Sequence, residues 1–197
     1  MSNKVITISR EFGSGGRTVG KMVAEKLGIP CYDQEIIQKI AEESGYCEDF
    51  VAEHSEHAAY GNWLSNAFAF RDYYGNSIQD KIWFAQLKTI VELANKGPCV
   101  IVGRCADFIL KETADCLKVF IHADPKARAE RIVEQYGESS QAPERRLKDK
   151  DKRRAAYYQM YTDQKWGDNK NYDIALSTSS LGIDTCVDII VELYKIK

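Results

Sequence analysis

The sequence has no cysteines at C-x-x-C spacing, no apolar run of membrane-spanning length and no marked excess of either charge. Each lack excludes something. Six cysteines, at positions 31, 47, 99, 105, 116 and 186, are scattered along the chain. Cys99 and Cys116 adjoin apolar runs, where cysteine behaves as a small hydrophobe. That pattern speaks against a disulfide framework and against a zinc site. Nothing approaches the ~20 apolar residues of a membrane helix, and the N-terminus enters a strand pattern without the cationic and apolar segments of a secretory signal. The expectation is a reduced, soluble, cytoplasmic protein with no membrane partner. A net charge of −2 argues against general nucleic-acid binding. There is no internal repeat, long linker or low-complexity tract. The 197 residues therefore read as one domain, long enough to bury about 70% of its unfolded surface.

What the sequence does have is an alternation of short apolar runs and amphipathic stretches. Strands are expected over 5–9, 29–32, 99–102, 117–122 and 172–176. Helices are expected over 18–27, 34–43, 79–95, 105–111, 125–135, 147–162 and 183–194. The run Cys99-Val-Ile-Val102 is uninterrupted, as in a strand buried on both faces. Repeated alternation of this kind predicts a parallel sheet covered by helices on both sides. Two stretches break the rhythm. Residues 44–78 carry many aromatics (Tyr60, Trp63, Phe68, Phe70, Tyr73, Tyr74), and residues 137–154 open with Gly, Ser and Pro and end strongly basic. Insertions at the carboxyl edge of an α/β sheet are where lids and substrate pockets sit.

The ten residues 9–18, "SREFGSGGRT", follow the first apolar run. A phosphate loop works because glycines let successive backbone N–H groups converge on phosphate oxygens at a helix N-terminus. A cation then bridges the outer phosphates and a hydroxyl holds magnesium. Gly13, Ser14, Gly15 and Gly16 supply the flexible backbone. Measured against G-x-x-x-x-G-K-[ST], Arg17 takes the lysine position, Thr18 the magnesium position, and Glu11 replaces the first glycine. Arginine keeps the charge with a bulkier, forked head. The expectation is a working but modified phosphate cradle.

Four stretches resemble the cytidylate kinase-like family of P-loop nucleoside monophosphate kinases. They are "ITISREFGSGGRTVGKMVAEKLGIPCYDQEII" at 6–37, "VIVGRCADFIL" at 100–110, "KVFIHADPKARAERI" at 118–132 and "DKRRAAYYQMYTDQKWGDNKNYDIAL" at 151–176. The resemblance implies an α/β fold: a three-layer αβα sandwich with a five-stranded parallel sheet in the order 2-3-1-4-5. It implies a single domain with its core at 1–43, 79–136 and 155–197, a helical acceptor-binding insertion at about 44–78 and a lid at about 137–154. It also implies transfer of a γ-phosphoryl group from ATP, with Mg2+, to a nucleoside monophosphate. Gly13 to Thr18 and Arg131 would then bind ATP, and Arg17, Arg153 and Arg154 would be catalytic. Asp33, Lys39, Arg104, Asp107, Asp151 and Arg154 would serve the acceptor. Three departures concern the acceptor side: Gln34 stands for a serine, Lys39 for an arginine, and Cys105 for the aspartate of a Gly-Arg-Asp motif. The residues are also compatible with a kinase for another small acceptor and with a nucleotide-binding regulatory protein lacking turnover.

Simpler roles compete for some of these side chains. Asp33 and Asp124 stand where N-caps are expected, the second before Pro125. The basic run 145–154 reads mainly as a solvated helix face, with Arg146, Lys150 and Arg154 (or Arg153) sharing one side. His54 and His57 lack a third clustered ligand, so a solvated face is expected there rather than a metal site. The aromatics at 60–74 are expected to pack the insertion, with one or two available to stack on an acceptor base.

Overall fold

The computed structural model describes residues 4–46, 48, 49, 51, 78–137 and 139–196. Most of the expected insertion, including His54, His57, Cys47 and the aromatics at 60–74, lies outside the described residues. Five strands, β1 (Lys4–Arg10), β2 (Cys31–Tyr32), β3 (Cys99–Val102), β4 (Asp115–His122) and β5 (Ile174–Ser177), form one parallel sheet. Its order is β2-β3-β1-β4-β5, as expected. β1 is central. It pairs with β3 from Val5↔Cys99 to Ile8↔Val102 and with β4 from Lys4↔Asp115 to Arg10↔Ile121.

The helices are α1 (Gly16–Leu27), α2 (Gln34–Ser44), α3 (Ile78–Asn95), α4 (Ala106–Ile109), α5 (Pro125–Tyr136), α6 (Pro143–Thr162), α7 (Thr178–Leu181) and α8 (Ile183–Ile196). Period-two alternation divides the side chains of β1 between two cores. Ile6 and Ile8 pack with Val19 and Val23 of α1 and Val187 and Ile190 of α8. Val5 joins Ile36 and Ile40 of α2 and Ile82, Ile90 and Leu93 of α3 on the other face. Because both faces are covered, the central strands read as continuous apolar runs rather than alternating ones. α1 stops at Gly28, whose left-handed backbone lets its N–H close on the carbonyls of Ala24 and Glu25.

Several local expectations change. α6 begins at Pro143, four residues before the expected 147, so the whole basic run 145–154 lies on the helix. The short α7 was not foreseen, since "TSSL" is built of weak helix formers. Asp33 and Asp124 do occupy N-cap positions, but neither side chain makes a cap hydrogen bond. The Asp124 N–H instead donates to Ser179 Oγ at 3.0 Å. The five described cysteines are free thiols, and burial pushes the Cys99 thiol up to about 12. Among the described residues, no helix is long and apolar enough to cross a membrane.

Candidate active site

Neither neighbour of β1 follows it in sequence, so the loop leaving β1 opens at the carboxyl edge of the sheet. That is where ligands of open α/β sheets bind. Gly13 and Gly15 are left-handed there, with φ of 76° and 82°, a conformation that costs any residue with a Cβ roughly 1–2 kcal/mol. A Cβ on Gly13 would also meet Ile132 Cγ2 at 2.8 Å and the Arg128 carbonyl at 2.9 Å. The loop therefore needs glycine for shape as well as for approach to a ligand.

Its carbonyls are held from behind by side-chain donors. Arg128 Nη1 donates to the Phe12 carbonyl at 3.3 Å, Arg131 Nη1 to that of Gly13 at 2.7 Å, and Thr178 Oγ1 to that of Ser14 at 2.6 Å. In a trans peptide the following N–H turns the opposite way; that of Ser14 donates to the Glu11 carbonyl at 3.3 Å, while Gly13 and Gly15 line the cleft. The N-cap of α1 is Gly15, which offers no side chain to its first-turn N–H groups. No acidic residue stands in that turn either. Backbone donors at an uncapped helix start, with no competing carboxylate in that turn, fit phosphate oxygens. Thr18 borders the same cleft. Among the described residues no group of three or more His, Cys, Asp or Glu side chains gathers. Magnesium, which keeps water and substrate phosphates as ligands, fits such a site better than a metal that needs a protein cage.

Glu11, Arg128 and Asp151 clasp the loop to α5 and α6. Glu11 Oε2 accepts from the Ala123 N–H at 3.2 Å and lies 3.5 Å from Arg128 Nε. Arg128 Nη1 reaches Asp151 Oδ2 at 2.5 Å, and Asp151 Oδ1 accepts from the Phe12 N–H at 2.7 Å. Glu11 thus stands at the missing-glycine position as an anchor. Asp151 and Arg131, expected to serve the acceptor and ATP respectively, both hold the loop backbone in this arrangement. Arg17 borders the glycine cleft, with Nε 2.5 Å from Asp33 Oδ2. Asp33, whose Oδ1 is also 4.0 Å from Arg10, is nearly buried between the two arginines.

A second, narrower cleft opens beside the first, beyond the end of β3. Arg104 and Cys105 line it and are both left-handed, with φ of 60° and 54°. Such strain in non-glycine residues, on the order of 1–3 kcal/mol each, gathers at functional sites. It is supported from below: fully buried Gln86 donates from Nε2 to the Arg104 carbonyl at 2.9 Å and accepts from the Tyr157 hydroxyl at 3.4 Å. Tyr157, Tyr158 and Trp166 add an aromatic wall. Asp107 does not border this cleft. It is 4% exposed, and accepts from the Tyr158 hydroxyl at 2.6 Å and from Ser9 Oγ at 3.4 Å. Burial drives its carboxyl above the ordinary range, against the pull of those two hydrogen bonds. It braces the floor, where the sequence suggested a ligand to the acceptor.

Of the paired arginines on α6, Arg154 borders both clefts, whereas Arg153 borders neither. Arg154 Nη1 donates to the Arg10 carbonyl at 3.1 Å, and its guanidinium lies 5.8 Å from the Phe12 ring centre. Lys39 is half-buried on α2 and borders neither cleft. The sequence reading missed Arg10, Gln86, Arg128 and the aromatic wall. Only Arg10 had a local signal: a charged residue closing a strand that is otherwise buried on both faces.

A parallel five-stranded αβα sandwich with a glycine cradle at the end of its first strand defines a P-loop protein. A family model described as the cytidylate kinase-like family matches residues 5–180, and the chain belongs to that family. A cytidylate kinase of Archaeoglobus fulgidus is 29% identical over 98% of this chain and 95% of its own. One of Methanococcus vannielii is 26% identical over 97% and 99%. Among solved structures, an uncharacterized protein from Eubacterium ventriosum superposes with a TM-score of 0.75 at 28% identity, covering 98% of this chain and 99% of the other. Shikimate kinase from Acinetobacter baumannii, solved with shikimate, shares the fold with a TM-score of 0.56 at 15% identity, over 100% and 94%.

Proposed function

We propose that this protein transfers the γ-phosphoryl group of ATP to a nucleoside monophosphate, with CMP and dCMP the leading acceptors. The observation that carries this is the pairing of two clefts. The glycine cradle suits the phosphates of ATP, the Arg104 cleft suits an acceptor, and guanidinium groups stand where the two join. The cytidylate kinase relatives favour a nucleotide acceptor, and the aromatic wall of Tyr157, Tyr158 and Trp166 offers a surface for a base.

Phosphoryl transfer asks a protein for positioning and charge neutralisation more than for covalent chemistry. The backbone from Gly13 to Thr18 binds the donor phosphates. Arg104 grips the acceptor phosphate with a planar fork suited to it, and Arg154 spans the junction. The Thr18 hydroxyl would hold magnesium, which when bound would supply further charge neutralisation at the phosphates. The core is 1–43, 79–136 and 155–197, with about 44–78 serving the acceptor and about 137–154 as the lid.

The test is ADP release from ATP and magnesium with CMP, dCMP, UMP, AMP and GMP offered in turn. Turnover with CMP or dCMP above the others is the expected result. ADP release with none of them points to a different small acceptor. ATP binding with no release at all favours a regulatory nucleotide-binding protein and refutes the kinase assignment.

A further inference from the structure

The start of α1 and the spacing of the motif point to different residues for the cation of the loop. α1 starts at Gly16, directly after its N-cap Gly15. In ordinary phosphate loops a lysine follows the last glycine at the helix start and reaches the outer phosphates. Here the residue that follows the N-cap glycine is itself a glycine, with no side chain to send, and Arg17 comes one position later. Gly16 is helical and is not left-handed, so its backbone would accept any residue. What excludes a side chain is Arg10: a Cβ on Gly16 would meet Arg10 Cβ at 2.5 Å and Cγ at 3.0 Å. The Arg10 side chain runs through the space that a first-turn side chain would fill.

Arg10 also has the right address. It borders the glycine cleft and the Arg104 cleft alike, a property that among the described residues it shares with Arg154 alone. Arg17 borders only the glycine cleft, is 45% exposed and points at Asp33. The group in transit must pass between the two clefts. We propose that Arg10, delivered from the end of β1 across Gly16, is the cation that neutralises the transferred phosphoryl group. It takes over the duty of the absent lysine, while Arg17 orders Asp33. In the step it serves, an acceptor phosphate oxygen bonds to the γ-phosphorus. The bond from that phosphorus to the β–γ bridging oxygen breaks, and its electron pair leaves on ADP. The attacking phosphate oxygen carries no proton, so none needs to move.

This assignment presupposes the phosphoryl transfer proposed above, and its test is chosen to separate the two. ATP and ADP affinities are measured by calorimetry with magnesium and no acceptor, for the unaltered protein, Arg10→Met and Arg17→Met. Arg10→Met is expected to weaken ATP by about ten- to a hundredfold, the worth of a charged hydrogen bond, and ADP far less. Arg17→Met is expected to show no such ATP-selective loss. In turnover with the best acceptor, Arg10→Met should lower kcat by about a hundred- to a thousandfold. A lysine placed at the helix start should stand in for Arg10, so Arg10→Gly combined with Gly16→Lys should recover ATP selectivity that Arg10→Gly alone lacks. That double variant carries the test if Arg10→Met does not fold. Equal losses for ATP and ADP in Arg10→Met, or an ATP-selective loss in Arg17→Met instead, would overturn the assignment, as would a double variant no better than Arg10→Gly. If the unaltered protein phosphorylates no acceptor, the kinase assignment falls, while the ATP-over-ADP contrast still decides the role of Arg10.

Discussion

Asp151→Ala probes the clasp that shapes the phosphate loop. The substitution removes the acceptor of the Phe12 N–H, held at 2.7 Å, and the partner of Arg128 Nη1, held at 2.5 Å. Breaking one side of a fully buried pair costs about 3–5 kcal/mol, whereas exposed pairs are worth about 0–1 kcal/mol. The side chains of Arg128 and Asp151 are 10% and 18% exposed, close to the buried limit. Glu11, 3.5 Å from Arg128 Nε, retains part of the charge balance. A loss of about 3 kcal/mol follows, and with about 2–4 °C per kcal/mol for a chain of this size the Tm should fall by about 6–12 °C. Urea denaturation and calorimetry would measure it. Asp149→Ala is the control: that side chain is 51% exposed and 4.0 Å from its Arg145 partner, so the change should stay within about 0.5 kcal/mol. Asp151→Asn, which keeps an acceptor for the Phe12 N–H, should fall between the two. ATP affinity should drop in Asp151→Ala as well, because the loop carbonyls lose their fixed orientation. A stability loss no larger than that of Asp149→Ala would refute the clasp.

Other perturbations test neighbouring parts of the site. Burial holds the Asp107 carboxyl above its ordinary value, so the folded state binds that proton more tightly than the unfolded one. Its contribution to stability therefore falls as pH rises from the ordinary value through the raised one. Asp107→Asn should flatten this decline above the ordinary carboxylate range in urea midpoints, and an unchanged slope would contradict it. Arg104→Ala should raise the acceptor KM by about ten- to a hundredfold and leave that of ATP nearly unchanged. Steady-state kinetics with each substrate varied would check this, and equal effects on both would remove Arg104 from the acceptor cleft.

Much of the fold was legible in the sequence because its signals are local. Continuous apolar runs bounded by glycine and proline mark doubly covered strands. Gly28 and Gly45 after amphipathic stretches mark helix ends. The glycine cluster at 13–16, set between a strand and a helix, marks a phosphate cradle. These properties belong to single residues and their near neighbours in the chain, so spacing alone reveals them.

The roles of the polar side chains were another matter. Asp33 stood where a cap belongs, yet its carboxylate turns to Arg17. Asp151 and Arg131 read as ligand contacts, and tertiary packing turned both onto the backbone of the loop. Gln86 and Arg104 are far apart in sequence and meet only because α3 lies under the end of β3. By itself the sequence determined the αβα sandwich, the strand order that its family resemblance implied, and the place of the phosphate loop. Only the tertiary structure decided which arginine faces the junction of the two clefts. α1 begins at Gly16, two residues before the expected start, and the filling of the space over Gly16 depends on the path Arg10 takes from the end of β1.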